Sequence, residues 1–126
     1  MILGIGTDII EVSRVRNALE KNELKEKAFS KREIGYCEND KTGQSYAARA
    51  AAKEAFFKAL GTGWRDQMAI TEVEILNDEL GKPEVILSGE TLKVFEQKGG
   101  TDIHVSLSHI KEHAVAFVII ERRISK

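Results

Sequence analysis

Two acidic side chains and one lysine carry the clearest chemistry in this sequence. Asp8 closes an opening run, Gly4-Ile5-Gly6-Thr7-Asp8, in which glycines alternate with β-branched residues. Glu54 and Lys58 stand one helical turn apart in Lys53-Glu54-Ala55-Phe56-Phe57-Lys58. Carboxylates from two distant segments with an ammonium beside them suit a hard divalent cation that grips phosphate oxygens. Magnesium takes one or two carboxylates and completes its shell with water and substrate phosphates. A diphosphate attacked by an alcohol needs charge neutralised on its bridging and leaving oxygens, and such an ion and a lysine both do this. Each group also has a plainer reading. Asp8 can cap a helix that begins near Ile10 or Glu11. Glu54 and Lys58 at i, i+4 can be an ordinary helix-supporting pair, stabilising by only a few tenths of a kcal/mol. Local pattern alone leaves both readings open.

Other motifs of phosphate and nucleophile chemistry fail on inspection. Gly4-Ile5-Gly6-Thr7-Asp8-Ile9 lacks the third glycine of a dinucleotide fingerprint, and Gly81-Lys82 runs into Pro83 rather than the Ser or Thr of a phosphate loop. No nucleophile elbow surrounds Ser106 or Ser108. His104, His109 and His113 do not form a helical zinc pair, and Cys37 is the only cysteine. His109 follows Ser106-Leu107-Ser108 at a strand end, a place from which it can meet a phosphate, though a single histidine there is more often a surface residue.

The elements that must position these groups can be read from periodicity. Residues 2–10 form a buried strand with Leu3, Ile5, Thr7 and Ile9 on one face and Ile2, Gly4, Gly6 and Asp8 on the other. Glycines in a strand mark a place where a ligand or another backbone comes close. A helix follows over about 11–20, with Val12, Val15 and Leu19 at helical spacing. Ser30-Lys31-Arg32-Glu33 is a capping box opening a short helix to about Glu38. The strongest helical signal runs from Thr42 to Leu60, rich in alanine and stopped by Gly61. In it Glu54 lies in line with Ala47 and Ala51, so its carboxylate rises from a surface of small side chains. A strand over 72–76, a turn over 78–83, a strand at Val85-Ile86-Leu87, a helix over 88–98 ended by Gly99-Gly100, and strands over 102–109 and 113–121 complete the chain. Helices early and strands late predict an α+β fold with a largely antiparallel sheet packed on the long alanine-rich helix.

Composition narrows the function classes. The 126 residues are 42% hydrophobic and carry 19 basic against 20 acidic residues, which fits one domain over 1–126 and gives no overall field for nucleic acid. One cysteine rules out an internal disulfide framework and fits a reducing cytoplasm. The apolar start lacks a basic region before it and meets Asp8 and Glu11 early, which argues against a signal peptide or a membrane span. One stretch is locally basic: from Arg14 to Lys27, Arg14, Arg16, Lys21, Lys25 and Lys27 outnumber Glu20, Glu23 and Glu26. It reads either as a solvated helix face or as a dock for an acidic partner.

Three segments together resemble the holo-acyl-carrier-protein synthase family of 4′-phosphopantetheinyl transferases. They are Gly4-Ile5-Gly6-Thr7-Asp8-Ile9-Ile10-Glu11 with Arg14, then Arg49 through Gly63 around Lys53-Glu54-Ala55-Phe56-Phe57-Lys58-Ala59-Leu60-Gly61, and Val105-Ser106-Leu107-Ser108-His109 followed by Ala114-Val115-Ala116. Asn77 and Gly81-Lys82-Pro83 match as well. The resemblance implies transfer of 4′-phosphopantetheine from coenzyme A to a serine of apo acyl carrier protein, releasing adenosine 3′,5′-bisphosphate, in fatty acid biosynthesis. It further implies the fold of that family, Mg²⁺ held by Asp8 and Glu54, and Lys58 at the diphosphate. Arg49 and His109 would then meet the nucleotide and its 3′-phosphate, and Gly81, Lys82 and Pro83 would lie beside the adenine. Arg14, with Lys21 in the same basic stretch, would meet the carrier protein. A homotrimer with active sites between subunits is also implied, so that the strand bearing His109 serves a neighbour's Asp8 and Glu54. The sequence departs from the family pattern at Ala50, where an aromatic residue is common, and at Ile110, where a polar one is usual. Two other classes fit the bare residues: a magnesium-dependent nucleotide or diphosphate hydrolase, and a non-catalytic oligomeric scaffold.

Overall fold

The structure, a computed structural model, describes residues 1–21, 24–63 and 68–124. Asn22 and Glu23 of the basic stretch lie outside the described residues. The opening strand β1 (Ile2–Glu11) leads into α1 (Val12–Leu19), α2 (Leu24–Ala28) and α3 (Lys31–Cys37). The long helix α4 (Gln44–Leu60) follows, then β2 (Val73–Asn77), β3 (Pro83–Leu87), α5 (Gly89–Gln97), β4 (Asp102–His109) and β5 (His113–Glu121). Three strands form an antiparallel sheet in the order β1-β5-β4, and β2 and β3 form a separate antiparallel hairpin. The predicted α+β architecture is thus the one observed. The pattern did not disclose α2, nor the 3-10 turn Ile70–Glu72 in front of β2. Among the described residues no helix is long and apolar enough to cross a membrane.

Local chemistry accounts for the element ends. The Ser30 hydroxyl accepts from the Glu33 N–H while the Glu33 carboxylate accepts from the Ser30 N–H, the capping box expected for α3. Gly61 ends α4 at φ 81°, a left-handed conformation in which a side chain is penalised.

The glycine face of β1 lies directly on α4. A carbon added at Gly6 would stand 1.9 Å from the Ala55 carbonyl oxygen, and one added at Gly4 would stand 1.8 Å from that of Ala59. The close approach flagged by the glycines is therefore a helix backbone, which occupies the space beside Asp8. Nearly all of α4 is buried, with Phe56 its largest fully covered side chain, packed in one core with Ile75 of β2. Only Ala50, Glu54 and Lys58 form an accessible line along its central turns, whereas Ala47 and Ala51 are fully covered. Glu54 rises beside Ala50 rather than from the small-residue surface expected of Ala47 and Ala51.

The opening strand is half-buried rather than buried. A register shift between Ile2 and Gly4 turns Leu3 toward the core, away from the face on which alternation put it. Beyond the shift, Ile5, Thr7 and Ile9 pair with Ile119, Phe117 and Val115 on the sheet face that α4 does not cover. Ile5 is 55% exposed, Ile9 65% and Phe117 41%.

The Gly6 contact predicts a sharp contrast. Gly6→Ala should lower stability by about 3 kcal/mol or more, because the added carbon meets backbone that cannot move aside. Gly35 sits within α3 with open space around its missing side chain, so Gly35→Ala should raise stability by about 0.5–1 kcal/mol. Urea unfolding of the two variants measures both. Equal midpoints would show that β1 does not lie on the helix backbone.

Candidate functional site

Asp8, Glu54 and Lys58 come together on one side of the molecule. Gly6 lies against the Ala55 carbonyl, so Asp8, two residues further along β1, reaches the same helix face as Glu54. The Lys58 ammonium donates to Asp8 Oδ1 at 3.1 Å and to the Thr7 carbonyl at 3.0 Å. Asp8 is not a helix cap: the residue at the start of α1 is Glu11, and no side chain caps that helix. Nor is Glu54 the partner of Lys58, whose ion pair is with Asp8. Glu54 is exposed and has no hydrogen bond or ion pair among the described residues. Two oxygen donors, one of them unengaged, beside an ammonium fit magnesium with water and phosphate as its other ligands. Among the described residues no cluster of three or more His, Cys, Asp or Glu gathers, so such an ion would depend on oxygens brought by a substrate.

The second group lies toward the other edge of the sheet, beside β4. A cleft of about 320 Å³ is lined by Tyr36, Ser45, Arg49, Asn77, Gly81, Pro83 and His109, among others. Four residues predicted for the nucleotide, Arg49, Gly81, Pro83 and His109, thus share one cavity although they come from a helix, a turn and two strands. Lys82 stands beside it, in an adjoining hollow of about 230 Å³ with Pro83, Ile103 and His104. His109 is exposed at the end of β4.

Arg49 is the most constrained of these groups. It is only 3% exposed. Its Nε donates to the Ile75 carbonyl at 3.0 Å, Nη1 to the Ser45 carbonyl at 3.4 Å and Nη2 to Asn77 Oδ1. Its guanidinium lies 4.3 Å from the centre of the Tyr36 ring. Every one of these acceptors is neutral. Among the described residues no carboxylate pairs with Arg49, and burying a charge without a counter-ion is costly. An anion entering the cleft would meet an uncompensated cation.

The scaffold behind both groups is a set of buried ionic contacts that sequence reading missed. Glu33 is completely buried; it accepts from Lys53 Nζ at 2.7 Å and from the Ile75 N–H at 2.9 Å. Burial lowers the pKa of Lys53, and Glu33 beside it pulls the other way. The Ile75 N–H and carbonyl, which face away from the β3 partner strand, are thus taken by Glu33 and Arg49. The capping pattern announced Glu33, but only as a cap; nothing in its spacing signalled a partner twenty residues on. Glu74 binds α3 from outside, accepting from Ser30 Oγ at 2.6 Å and from Arg32 Nη2 at 2.6 Å. The only cysteine, Cys37, is fully buried, and burial pushes its thiol up to about 11, so it offers no nucleophile.

Arg14 on α1 and Lys21 just past its end are exposed, while Arg16 is turned to the Thr42 carbonyl at 2.9 Å and Lys25 on α2 pairs with Glu38 at 3.0 Å. Part of the basic stretch is therefore committed to the fold and part is free to meet solvent.

Residues 4–118 match the model of the 4′-phosphopantetheinyl transferase superfamily. The chain is 52% identical over 120 residues to the holo-[acyl-carrier-protein] synthase of Ruminiclostridium cellulolyticum, covering 92% of this chain and 90% of that protein. It is 47% identical over 123 residues to that of Clostridium tetani, covering 96% and 97%. Among solved structures, the synthase of Neisseria meningitidis superposes with a TM-score of 0.87 at 34% identity, covering 97% of this chain and all of that one. A synthase of Bacillus anthracis, solved in complex with CoA (3′,5′-ADP), superposes with a TM-score of 0.82 at 36% identity, covering 98% and 99%.

The Glu74 contacts predict an acid limb in the stability curve. Hydrogen bonds from Arg32 hold this carboxyl below its ordinary 4.5 against partial burial, and Ser30 assists. A depressed folded pKa means the contribution is complete above 4.5 and is lost as pH falls through the folded value. Glu74→Gln should lower stability at pH 7 and flatten its decline below about pH 4.5, read by thermal melting at a series of pH values. An unchanged acid limb would remove Glu74 as a clasp of α3.

Proposed function

The chain belongs to the 4′-phosphopantetheinyl transferase superfamily, and from that premise we propose that it is a holo-[acyl-carrier-protein] synthase acting as one domain, residues 1–126, in the cytoplasm. Its reaction moves 4′-phosphopantetheine from coenzyme A to a serine of apo acyl carrier protein and serves fatty acid biosynthesis. The observation that carries this reading is the Glu54 carboxylate, unengaged among the described residues, near the Asp8–Lys58 pair, with a cleft around Arg49 at the other edge of the sheet.

In the reaction the serine hydroxyl attacks the β-phosphorus of coenzyme A. A new O–P bond forms, the bridging O–P bond breaks, and adenosine 3′,5′-bisphosphate leaves. Lys58 stabilises negative charge on the phosphates as that bond breaks. Asp8 and Glu54 hold Mg²⁺, which when bound supplies charge neutralisation at the diphosphate oxygens. The serine proton has Asp8, Glu54 or a water as its acceptor. Arg14 and Lys21 attract the acidic carrier protein and orient its serine. Positioning and electrostatics supply most of the acceleration, as in other phosphoryl transfers.

The active unit is a homotrimer with its sites between subunits. Support comes from the separation of the two groups: Asp8 lies on β1 and His109 on β4, the opposite edges of the three-stranded sheet. The uncovered face of Ile5, Ile9, Val115 and Phe117 gives a second copy an apolar surface to bury. A neighbouring subunit seated there brings one copy's cleft toward another's carboxylates.

Incubation with coenzyme A, Mg²⁺ and apo carrier protein should give a phosphopantetheine adduct by intact mass. Glu54→Gln should slow its formation about a hundredfold or more with the fold intact. Retained activity would clear Glu54, and breakdown of coenzyme A without carrier protein would point to a hydrolase instead. Phe117→Glu should give a monomer by sedimentation and abolish transfer. An active monomer would overturn the shared site.

A further inference from the structure

We propose that Tyr36 sets the preference of the enzyme for a nucleotide bearing a 3′-phosphate, by holding the Arg49 guanidinium in place. This rests on the reading of the cleft as the nucleotide site of coenzyme A. A guanidinium carries five N–H donors. Arg49 spends three of them on Ile75, Ser45 and Asn77 and leaves two for a ligand. These three bonds fix the guanidinium at its edges, and the Tyr36 ring, 4.3 Å away, supports it from one face. A ring held against the guanidinium in this way limits its movement, and with it the direction of the unused donors.

Tyr36 has the placement that such a role requires. It lines the same cleft and is 50% exposed, so it stands at the cleft wall rather than in the core. Its hydroxyl makes no hydrogen bond among the described residues, which leaves the ring as its working part. It is carried by α3, which Glu33 and Glu74 tie to β2, the strand that also supplies two of the acceptors of Arg49. Asn77 extends the arrangement, since its Nδ2 donates to the Gly81 carbonyl at 2.9 Å and couples the arginine to the turn beside the cleft. Ring, arginine and turn form one rigid wall. The ligand chemistry it fits is a phosphate dianion attached to a nucleoside. Tyr36 touches no reacting atom, and is a positioning residue.

The test compares steady-state transfer from coenzyme A and from dephospho-coenzyme A, which lacks only the 3′-phosphate. The wild-type enzyme should show a lower KM for coenzyme A. Tyr36→Phe keeps the ring and should keep that ratio. Tyr36→Leu and Tyr36→Met remove the ring and should raise KM for coenzyme A about five- to tenfold. In both, the KM for coenzyme A should rise by more than the KM for dephospho-coenzyme A, which narrows the ratio between the two substrates. Two ring-lacking variants guard against one that does not fold, and melting temperatures identify such a case. A parallel rise in both KM values, or none in either, would overturn the role of Tyr36 while leaving the cleft assignment intact. A wild-type enzyme that does not distinguish the two substrates, yet still makes the adduct, would overturn the phosphate assignment itself.

Discussion

The contact between β1 and α4 is the constraint on which the rest of this structure depends. Two glycines allow the strand to sit on the helix backbone at a separation no side chain would permit. Asp8 is carried to the level of Glu54 and Lys58 by that approach, and the ammonium then closes on both Asp8 and the Thr7 carbonyl. The alanines of α4 serve the same end from the other side. With Ala51, Ala52 and Ala55 fully covered, the helix keeps its backbone close to its neighbours and leaves a narrow accessible line for its charged residues.

Charge in this protein is handled in two ways. The buried Glu33–Lys53 pair is compensated and further hydrogen-bonded to the Ser30 and Ile75 N–H groups and the Ile70 carbonyl, which is the condition under which burying two ions is tolerable. It clamps α3, α4 and β2 to one another. Arg49, only one turn before Lys53, is buried against neutral acceptors alone. One helix therefore carries a cation paired with a carboxylate and another that, among the described residues, has only neutral acceptors. Such an arrangement concentrates positive potential in the cleft although the net charge of the chain is only −1.

Much of the fold was legible because it rests on local signals. The capping box at Ser30, the alanine-rich run ended by Gly61, the turn before Pro83 and the alternation of β5 each lie within a few residues of one another. Alternation misjudged the opening strand for two reasons that are not local. An irregularity after Ile2 rotated Leu3 to the core, and among the described residues no element of the chain covers the Ile5–Ile9 face. An apolar residue in a strand shows that burial is favourable, but does not say which body provides it. The line of Glu54 was misread for a related reason, since which alanines face outward depends on what packs around the helix.

The amino-acid order by itself determined most of the element types, the breaks between them and the identity of Asp8, Glu54, Lys58 and His109 as chemically pointed residues, while Arg49 was singled out by family resemblance. Only tertiary structure decided which alternative each of them took. Asp8 pairs with Lys58 instead of capping α1, Glu54 has no partner among the described residues, and Glu33 finds Lys53 inside the core. The physical reason is range. Helix and turn preferences act between residues a few positions apart, whereas ion pairing and close packing act between whatever the fold brings within a few ångströms, and here those partners lie some twenty to fifty positions apart.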